Sequence, residues 1–139
     1  MKAKDIMTQY VACVKPDTTV AKSAEMMKEL NVGSLPVCSD KGVVGIVTDR
    51  DIVVRCISES KNPQDTLVEN IMTYNVATAA PNTDTQDVAR LMAKNKVRRI
   101  PVVENEALIG IVALGDLAAD MRFDMEASEA LSEISIPTK

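Results

Sequence analysis

Side chains that commonly carry out chemistry are scarce in this sequence. It contains no histidine, the commonest general base and zinc ligand. Cys13, Cys38 and Cys56 lack C-x-x-C spacing and a partner base that would activate a thiol. Their apolar neighbours predict buried free thiols in a reducing compartment. A Walker-type glycine loop is also missing, so the sequence predicts no enzyme, no catalytic cofactor and no metal site.

The most specific polar pattern is Thr48-x-x-Asp51, which follows an apolar run. In one interpretation the two residues form a capping box at the start of a helix. In the other, the ionised Asp51 carboxylate accepts hydrogen bonds from a ligand's hydroxyl groups, and such bonds are stronger than those between neutral groups. The spacing alone favours the capping box, and the two roles are compatible for Thr48.

Hydrophobic spacing and turn residues predict the elements that position this pattern. Apolar residues at helical spacing predict a helix over 19–31. A second helix is predicted over 49–60, with Ile52, Val53 and Cys56 facing inward. Short apolar runs predict three strands, and a hairpin loop over 39–42 with Gly42 available for positive φ joins the last two. The predicted strands are 11–14, 34–38 and 43–47.

The whole pattern occurs twice, at a constant offset and without a gap. Ile6-Met7-Thr8 recurs as Ile71-Met72-Thr73, and Gly45-Ile46-Val47 recurs as Gly110-Ile111-Val112. Such a repeat predicts two copies of one supersecondary unit that bury their apolar faces together. The predicted fold is mixed α/β (α+β): two repeats of strand-helix-strand-strand-helix, packed by pseudo-twofold symmetry, with two related clefts.

The repeat also predicts the boundaries within the chain. The first repeat is placed at 1–60, a polar linker at 61–67, the second repeat at 68–121 and an acidic tail at 122–139. Apolar residues of the tail are spaced to line one face of a last helix. These residues are Met125, Ala127, Leu131 and Ile134.

Composition argues against several classes of partner. The 139 residues carry a net charge of −4, and 2% of them are aromatic. Nucleic-acid binders need positive charge for phosphates and aromatic rings for unpaired bases, so that class is not expected. No apolar run approaches the roughly 20 residues of a membrane span, and the polar start leads into no signal-peptide core. We therefore expect a cytoplasmic protein with no membrane partner.

Three motifs in each repeat resemble those of a CBS domain, and the pair resembles a Bateman module. They cover nearly the whole chain, which is similar to stand-alone bacterial CBS-domain proteins. This resemblance implies a regulatory or sensor module that binds AMP, ADP, ATP or S-adenosylmethionine. It also implies a homodimer formed through the CBS pairs and a protein target that the sequence does not identify. The motifs are Asp5-Ile6-Met7-Thr8 and Asn70-Ile71-Met72-Thr73, then 32–37 and 97–102, then 45–51 and 110–116.

The resemblance assigns ligand-binding roles in a first cleft. Thr48 and Asp51 would bind ribose, and the adjacent Arg98 and Arg99 would supply guanidinium groups for phosphate. Neighbouring residues on a strand point to opposite faces, so we expect one of the two arginines to reach a phosphate directly. Other residues would flank the adenine or close the far side of the cleft. These are Ile46, Thr73, Asn75, Val76, Ala77, Val97 and Ile100.

A second cleft departs from this pattern, so we expect it to bind more weakly. Ala113 stands where the first cleft has Thr48, and Gly33-Ser34 stands where it has the arginine pair. Asp116 remains as a candidate for ribose. The alternative for the whole chain is a structural or protein-interaction module without a ligand, in which Asp51 only caps its helix. The expected second-cleft residues are Thr8, Val11, Ala12, Val32, Gly33, Ser34, Leu35 and Asp116.

Overall fold

The chain forms two compact units, seen in a computed structural model that describes residues 1–9, 11–119 and 132–134. The first unit consists of Ala12–Val76, and the second of Met1–Val11 together with Ala77–Lys139. We call residues 1–11 and 68–76 the leading segments of the two repeats. Each leading segment lies in the unit that is built mainly from the other repeat. The predicted linker, 61–67, lies inside the first unit.

Helices and short strands alternate along both units, which confirms the α+β prediction. Single turns of π- and 3-10 helix accompany the α-helices. In chain order the elements are α1 (Ala3–Ile6), β1 (Thr8–Gln9), α2 (Val20–Leu30), β2 (Ser34–Ser39), β3 (Gly42–Thr48), α3 (Asp49–Asp51), a π-helix (Ile52–Ile57), a 3-10 helix (Val68–Asn70), α4 (Thr85–Asn95), β4 (Arg99–Glu104), β5 (Ala107–Ala113) and α5 (Leu114–Ala118).

Each unit contains one antiparallel hairpin, β2–β3 in the first and β4–β5 in the second. The register shifts at equivalent places, after Val37 and after Val102. The hairpins turn differently. Gly42, with φ of 95°, supplies the positive φ in the first turn, whereas Asn105 and Glu106, with φ of 51° and 69°, supply it in the second.

The leading segments lie against these hairpins. β1 pairs antiparallel with β5, giving the strand order β1-β5-β4, and Thr73 forms an antiparallel bridge with β3. Glycine makes this approach possible, because a Cβ on Gly45 would lie 2.6 Å from Met72 Sδ and 2.9 Å from the Thr73 carbonyl oxygen. A Cβ on Gly110 would likewise lie 2.9 Å from the Thr8 carbonyl oxygen.

The longest helices, α2 and α4, begin differently and end alike. Thr19 caps α2, since its Oγ1 accepts a hydrogen bond from a first-turn amide at 3.2 Å. Asp84 precedes α4 without a side-chain cap and instead binds Lys2 Nζ at 2.7 Å. Both helices end in a left-handed residue, Asn31 or Lys96, with φ of 55° and 54°. The predicted helix over 19–31 is confirmed, with its first and last residues acting as caps.

Each unit has its own hydrophobic core. Both cores are dominated by aliphatic residues and methionine, in keeping with the scarcity of aromatic residues. The first core contains Val14, Val20, Met27, Leu35, Val37, Val47, Cys56, Val68, Ile71 and Met72. The second contains Ala3, Ala79, Val88, Ala89, Met92, Ile100, Val102, Val112 and Leu117, with Ile134 packed against it. Within the predicted tail helix, 132–134 is helical, and Met125, Ala127 and Leu131 lie outside the described residues.

Two predictions for the first repeat are wrong in detail. The predicted strand 11–14 forms no strand, because only Val14 pairs, through a single parallel bridge to Val37. The helix predicted over 49–60 is α3 followed by the π-helix, and Val53 is 59% exposed rather than inward. Consecutive helical residues point roughly a quarter turn apart, so Val53 does not share the inward direction of its neighbour Ile52.

Burial of the three thiols also differs from the prediction. Only Cys56 is buried, whereas Cys38 is half-buried and Cys13 is exposed. Cys13 precedes the bridged Val14, and successive residues of an extended chain point in opposite directions. The side chain of Val14 is in the core, and that of Cys13 therefore faces away from it.

Candidate functional site

Thr48 and Asp51 form a reciprocal capping box at the junction of β3 and α3. The Asp51 amide donates to Thr48 Oγ1 at 3.0 Å, and the Thr48 amide donates to Asp51 Oδ2 at 3.1 Å. These bonds satisfy two backbone donors that the helix start would otherwise leave unpaired. Asp51 is 7% exposed, so its carboxylate is nearly buried. The capping interpretation of the sequence is therefore correct for the main chain.

The leading segment of the second repeat brings Thr73 to this carboxylate. Thr73 and Ile46 exchange two backbone hydrogen bonds, at 3.0 and 2.9 Å, next to the capping box. The Thr73 hydroxyl then lies 3.5 Å from Asp51 Oδ2. Four of the predicted first-cleft residues, Ile46, Thr48, Asp51 and Thr73, thus meet within the first unit.

Arg55 is a member of this cluster that the sequence reasoning missed. One of its terminal nitrogens donates to the carbonyl oxygens of Ile71 and Met72, at 3.3 and 3.1 Å. Its Nε lies 3.8 Å from Asp51 Oδ1. The guanidinium therefore ties the leading segment to the helix that carries Asp51. An acidic residue four positions before a basic one on a helix is a recognisable signal for such a pair.

Two further first-cleft candidates lie in the same unit, just after Thr73. Asn75 is exposed and has a left-handed φ of 57°. Val76 is half-buried at the end of the unit. The side chain of Asn75 makes no hydrogen bond with the described residues, so its amide group is available to a ligand.

The remaining first-cleft candidates belong to the second unit. Arg98 is exposed and Arg99 half-buried at the start of β4, and neither forms an ion pair with any residue that the structure describes. The Arg98 carbonyl oxygen accepts a hydrogen bond from Leu114 N at 2.8 Å. Ala77 and Val97 are half-buried, whereas the side chain of Ile100 is fully buried in the second core.

The second unit repeats the Asp51 arrangement in reduced form. The Ala113 amide donates to Asp116 Oδ2 at 2.8 Å, but alanine has no hydroxyl to accept the return bond. Asp116 is half-buried, and its carboxylate has no other hydrogen bond among the described residues. Thr8, exposed on β1, pairs with Ile111 through the backbone. Val11 also belongs to this unit and is half-buried.

Other second-cleft candidates lie in the first unit, around the start of β2. The Gly33 carbonyl oxygen accepts from Asp49 N at 2.9 Å, and the side chain of Leu35 is in the core. Ser34 Oγ is a buried polar atom that has no hydrogen-bond partner in the described part of the chain. Buried hydroxyls are normally paired, so this oxygen can still bind a water or a ligand atom. Val32, which precedes Gly33, and Ala12, at the start of the unit, are half-buried.

In the described part of the chain, no three histidine, cysteine, aspartate or glutamate side chains cluster as ligands for a metal ion. Among the same residues, the helices are too short or too polar to cross a bilayer.

The sequence matches known proteins over both repeats. A family model described as "CBS domain" matches residues 3–57 and again 68–122. The CBS domain-containing protein YhcV of Bacillus subtilis is 40% identical over 132 residues, covering 95% of this chain and 94% of that protein. This relative thus matches the present chain over almost its full length.

Two similar solved structures contain adenosine compounds. One is CBSX2 in complex with AMP, with a TM-score of 0.71 and 32% identity, covering 83% of this chain and 91% of that one. The other is the CBS domain pair of protein MJ0100 in complex with 5′-methylthioadenosine and S-adenosyl-L-methionine. Its TM-score is 0.76 and its identity 27%, covering 86% of this chain and 94% of that one.

Proposed function

Because the chain belongs to the CBS domain family and carries two copies of the domain, we propose that it is a regulatory module for an adenosine-containing ligand. The ligand class comprises AMP, ADP, ATP and S-adenosylmethionine. The observation that carries the proposal is the nearly buried Asp51 carboxylate, held at a helix start beside the Thr73 hydroxyl. Relatives that bind AMP or S-adenosylmethionine support the choice of ligand.

The capping box leaves Asp51 with acceptor capacity for a ribose. Its Oδ2 accepts from the Thr48 amide and from the Thr73 hydroxyl, while Oδ1 lies 3.8 Å from Arg55 Nε and accepts no hydrogen bond from the described residues. A carboxylate has about four acceptor positions, so about two remain for the two ribose hydroxyls. Because these bonds are made to a charged acceptor, they would be strong, and the fixed carboxylate loses little entropy on binding.

We assign the other first-cleft residues according to their chemistry. The backbone of Thr73 and Asn75 would meet the polar edge of adenine, and the aliphatic carbons of Ile46 and Val76 would meet its faces. Arg98 and Arg99, free of ion pairs with the described residues, would bind phosphate oxygens. The proposed remaining contacts are Ala77 and Val97 through side chains and Ile100 through its backbone, since its side chain is buried.

A ligand would act by favouring one arrangement of the protein over another. Only a difference in affinity between two states can shift their populations, so tight binding alone would not signal. The reading partner would be another protein, and no catalytic step is proposed for this chain. Cytoplasmic localisation is part of the same proposal, since the proposed ligands are intracellular metabolites.

Homodimer formation is also proposed, supported by an apolar surface on the π-helix. Val53, Val54 and Ile57 are 59%, 42% and 54% exposed on this one short helix. Exposed apolar clusters of this kind commonly mark protein interfaces. A Val53→Asp substitution should convert the dimer to a monomer in light scattering after size-exclusion chromatography. A wild-type monomer at tens of micromolar would contradict the dimer.

A ligand-free structural or interaction module remains the second candidate, and the capping box supports it. Thr48 and Asp51 satisfy each other's backbone amides without any ligand. In that case Asp51 contributes only to folding, and its replacement should alter stability without altering any nucleotide affinity.

Calorimetric titration with AMP, ADP, ATP and S-adenosylmethionine distinguishes the two candidates. We expect at least one ligand to bind the wild type, and Asp51→Asn to weaken it about 30-fold, because hydrogen bonds to a charged acceptor are each worth about 1.5–3 kcal/mol. Asp116→Asn is the matched control, because it makes the same substitution at the carboxylate of the second unit, which has fewer contacts. Equal losses in both variants, or no binding of any of the four ligands, would contradict the proposal.

A further inference from the structure

One guanidinium contacts both parts of the first unit that the proposed ligand would meet. Arg55 Nε lies 3.8 Å from Asp51 Oδ1. A terminal nitrogen of the same group donates to the carbonyl oxygens of Ile71 and Met72, at 3.3 and 3.1 Å. These two residues directly precede Thr73 in the leading segment. Arg55 therefore joins the acid proposed to bind ribose to the segment proposed to meet adenine.

The two carbonyl oxygens have no other hydrogen-bond donor in the described part of the chain. They follow the 3-10 helix Val68–Asn70, and carbonyl groups at the end of a helix have no partner within that helix. The guanidinium supplies the missing donor, and hydrogen bonds from a charged donor are stronger than those between neutral groups. Arg55 thus adds a second attachment of the leading segment to the one between Thr73 and Ile46.

The second repeat has a different residue at the equivalent position. At the constant offset that relates Ile6-Met7-Thr8 to Ile71-Met72-Thr73, Asp120 corresponds to Arg55. An ionised carboxylate accepts hydrogen bonds but has no proton to donate to a carbonyl oxygen. A guanidinium at this position is therefore confined to the repeat that carries Asp51.

We propose that Arg55 is a positioning residue, which fixes the Asp51 carboxylate and the leading segment relative to each other and thereby sets the discrimination between adenine and other purines. This inference rests on the proposed function. Adenine presents an amino donor beside a ring-nitrogen acceptor, whereas hypoxanthine presents an oxygen acceptor beside an N–H donor. The backbone of Thr73 and Asn75 can distinguish these two edges only if it is held in place while Asp51 binds the ribose.

This role requires the shape of a guanidinium as well as its charge. Nε of Arg55 faces the carboxylate, while a terminal nitrogen faces the two carbonyl oxygens. Lysine has a single ammonium group on a flexible stem, so it keeps the positive charge without keeping both contacts. The side chain of Arg55 is 51% exposed, so its replacement removes these contacts without opening a cavity in the core. We therefore expect Arg55 variants to fold.

The test compares binding of AMP with binding of IMP, which has hypoxanthine in place of adenine, by NMR titration so that weak affinities are also measured. Arg55→Ala should weaken AMP about 10-fold and IMP less than about 2-fold, because only the adenine contacts depend on the fixed segment. Arg55→Lys should lose most of the same discrimination. Arg90→Ala is the matched control and should change neither affinity, because it removes an exposed helical guanidinium of the second unit, paired with Asp87 at 2.7 Å.

Amide hydrogen exchange without ligand measures the attachment itself. The Thr73 amide, which donates to the Ile46 carbonyl oxygen at 2.9 Å, should exchange at least about 5-fold faster in Arg55→Ala than in the wild type. The Ala79 amide, bonded to the Pro101 carbonyl oxygen in the second unit, should exchange at an unchanged rate.

Three results would overturn this inference and leave the proposed function intact. They are unchanged exchange at Thr73 in Arg55→Ala, equal losses of AMP and IMP affinity in that variant, and full discrimination in Arg55→Lys. A wild type that binds AMP no more tightly than IMP would also overturn it. If the wild type binds none of the four adenosine ligands, the proposed function fails and this inference fails with it.

Discussion

The end of β3 and the end of β5 carry the same backbone arrangement with different side chains. At the first, Asp51 is nearly buried, reciprocally bonded to Thr48, approached by the Thr73 hydroxyl and flanked by Arg55. At the second, half-buried Asp116 keeps, among the residues that the structure describes, only the bond from the Ala113 amide. A carboxylate positioned from several sides is better prepared to bind a ligand than one held by a single amide.

The two units agree in the backbone features that hold the leading segments. Both hairpins shift register at the same place, and both allow a leading segment to approach across a glycine. They differ at the residue before each short helix, which is Thr48 in the first unit and Ala113 in the second. The comparison indicates that the repeat preserves a scaffold while its two sites are free to diverge, and the following predictions test this separation.

The largest expected effect tests the shared scaffold. Gly45→Ala and Gly110→Ala should each destabilise the protein by roughly 2–3 kcal/mol, because the added methyl overlaps methionine sulfur and a backbone oxygen. Urea denaturation measures both. A Cβ on Gly115 would meet nothing within 4 Å, so Gly115→Ala is the control and should be neutral or stabilise α5 by about 0.5–1 kcal/mol.

A large difference between the losses of stability caused by Gly45→Ala and Gly110→Ala would contradict the equivalence of the two units. It would mean that only one leading segment is held tightly, and that the equivalence of the two backbones has no energetic counterpart.

The next effect concerns ligand binding at the two acids. Asp51→Asn should weaken the tightest binding about 30-fold, or about 2 kcal/mol, whereas Asp116→Asn should change it less than about 3-fold. Calorimetry gives both the affinity and the number of sites. If the two variants lose affinity equally, the additional contacts of Asp51 do not make its site the stronger of the two.

A smaller effect tests whether the missing hydroxyl matters. Ala113→Thr supplies the absent half of the capping box and should stabilise the protein by about 1 kcal/mol, while Thr48→Ala should cost about the same. Thermal denaturation of the two variants measures both changes in stability. A destabilised Ala113→Thr would show that the second unit has no room for the side chain.

The smallest effect distinguishes the two helix starts by pH. The hydrogen bond from Lys2 and its charge lower the pKa of Asp84 below its ordinary 3.8. A lowered carboxyl pKa adds stability above the unfolded value, and this stability is lost as pH falls through the folded value. Lys2→Ala should therefore lower the melting temperature near neutral pH by at most about 2 °C, and the difference should vanish in acid. If the difference in melting temperature between the wild type and Lys2→Ala persists in acid, the ion pair is not its cause.

Much of this architecture could be predicted from the sequence, because it depends on local patterns. The helix over 19–31 is bounded by a capping threonine and an asparagine suited to left-handed φ. The hairpin loop contains its glycine, and Thr48-x-x-Asp51 has capping-box spacing. The repeat strengthens each of these predictions, because the pattern of every element occurs twice in the sequence.

The features that were missed depend on contacts between distant residues. Arg55 joins the site through carbonyl oxygens of Ile71 and Met72, which only the fold brings near. The exposure of Cys13 depends on one bridge, Val14 to Val37. The π-helix depends on bonds such as that from Ser58 N to the Val53 carbonyl oxygen, which no sequence periodicity announces.

The exchange of leading segments has a consequence for synthesis on the ribosome. Residues 1–11 emerge first, yet β1 has no strand to pair with until β5 is made, near the end of the repeats. On the nascent chain, β1 therefore stays exposed while Ala12–Val76, which is contiguous in the sequence, folds. Division of the chain within residues 61–67 would leave each leading segment in the fragment that lacks its partner hairpin. We expect neither fragment to fold on its own.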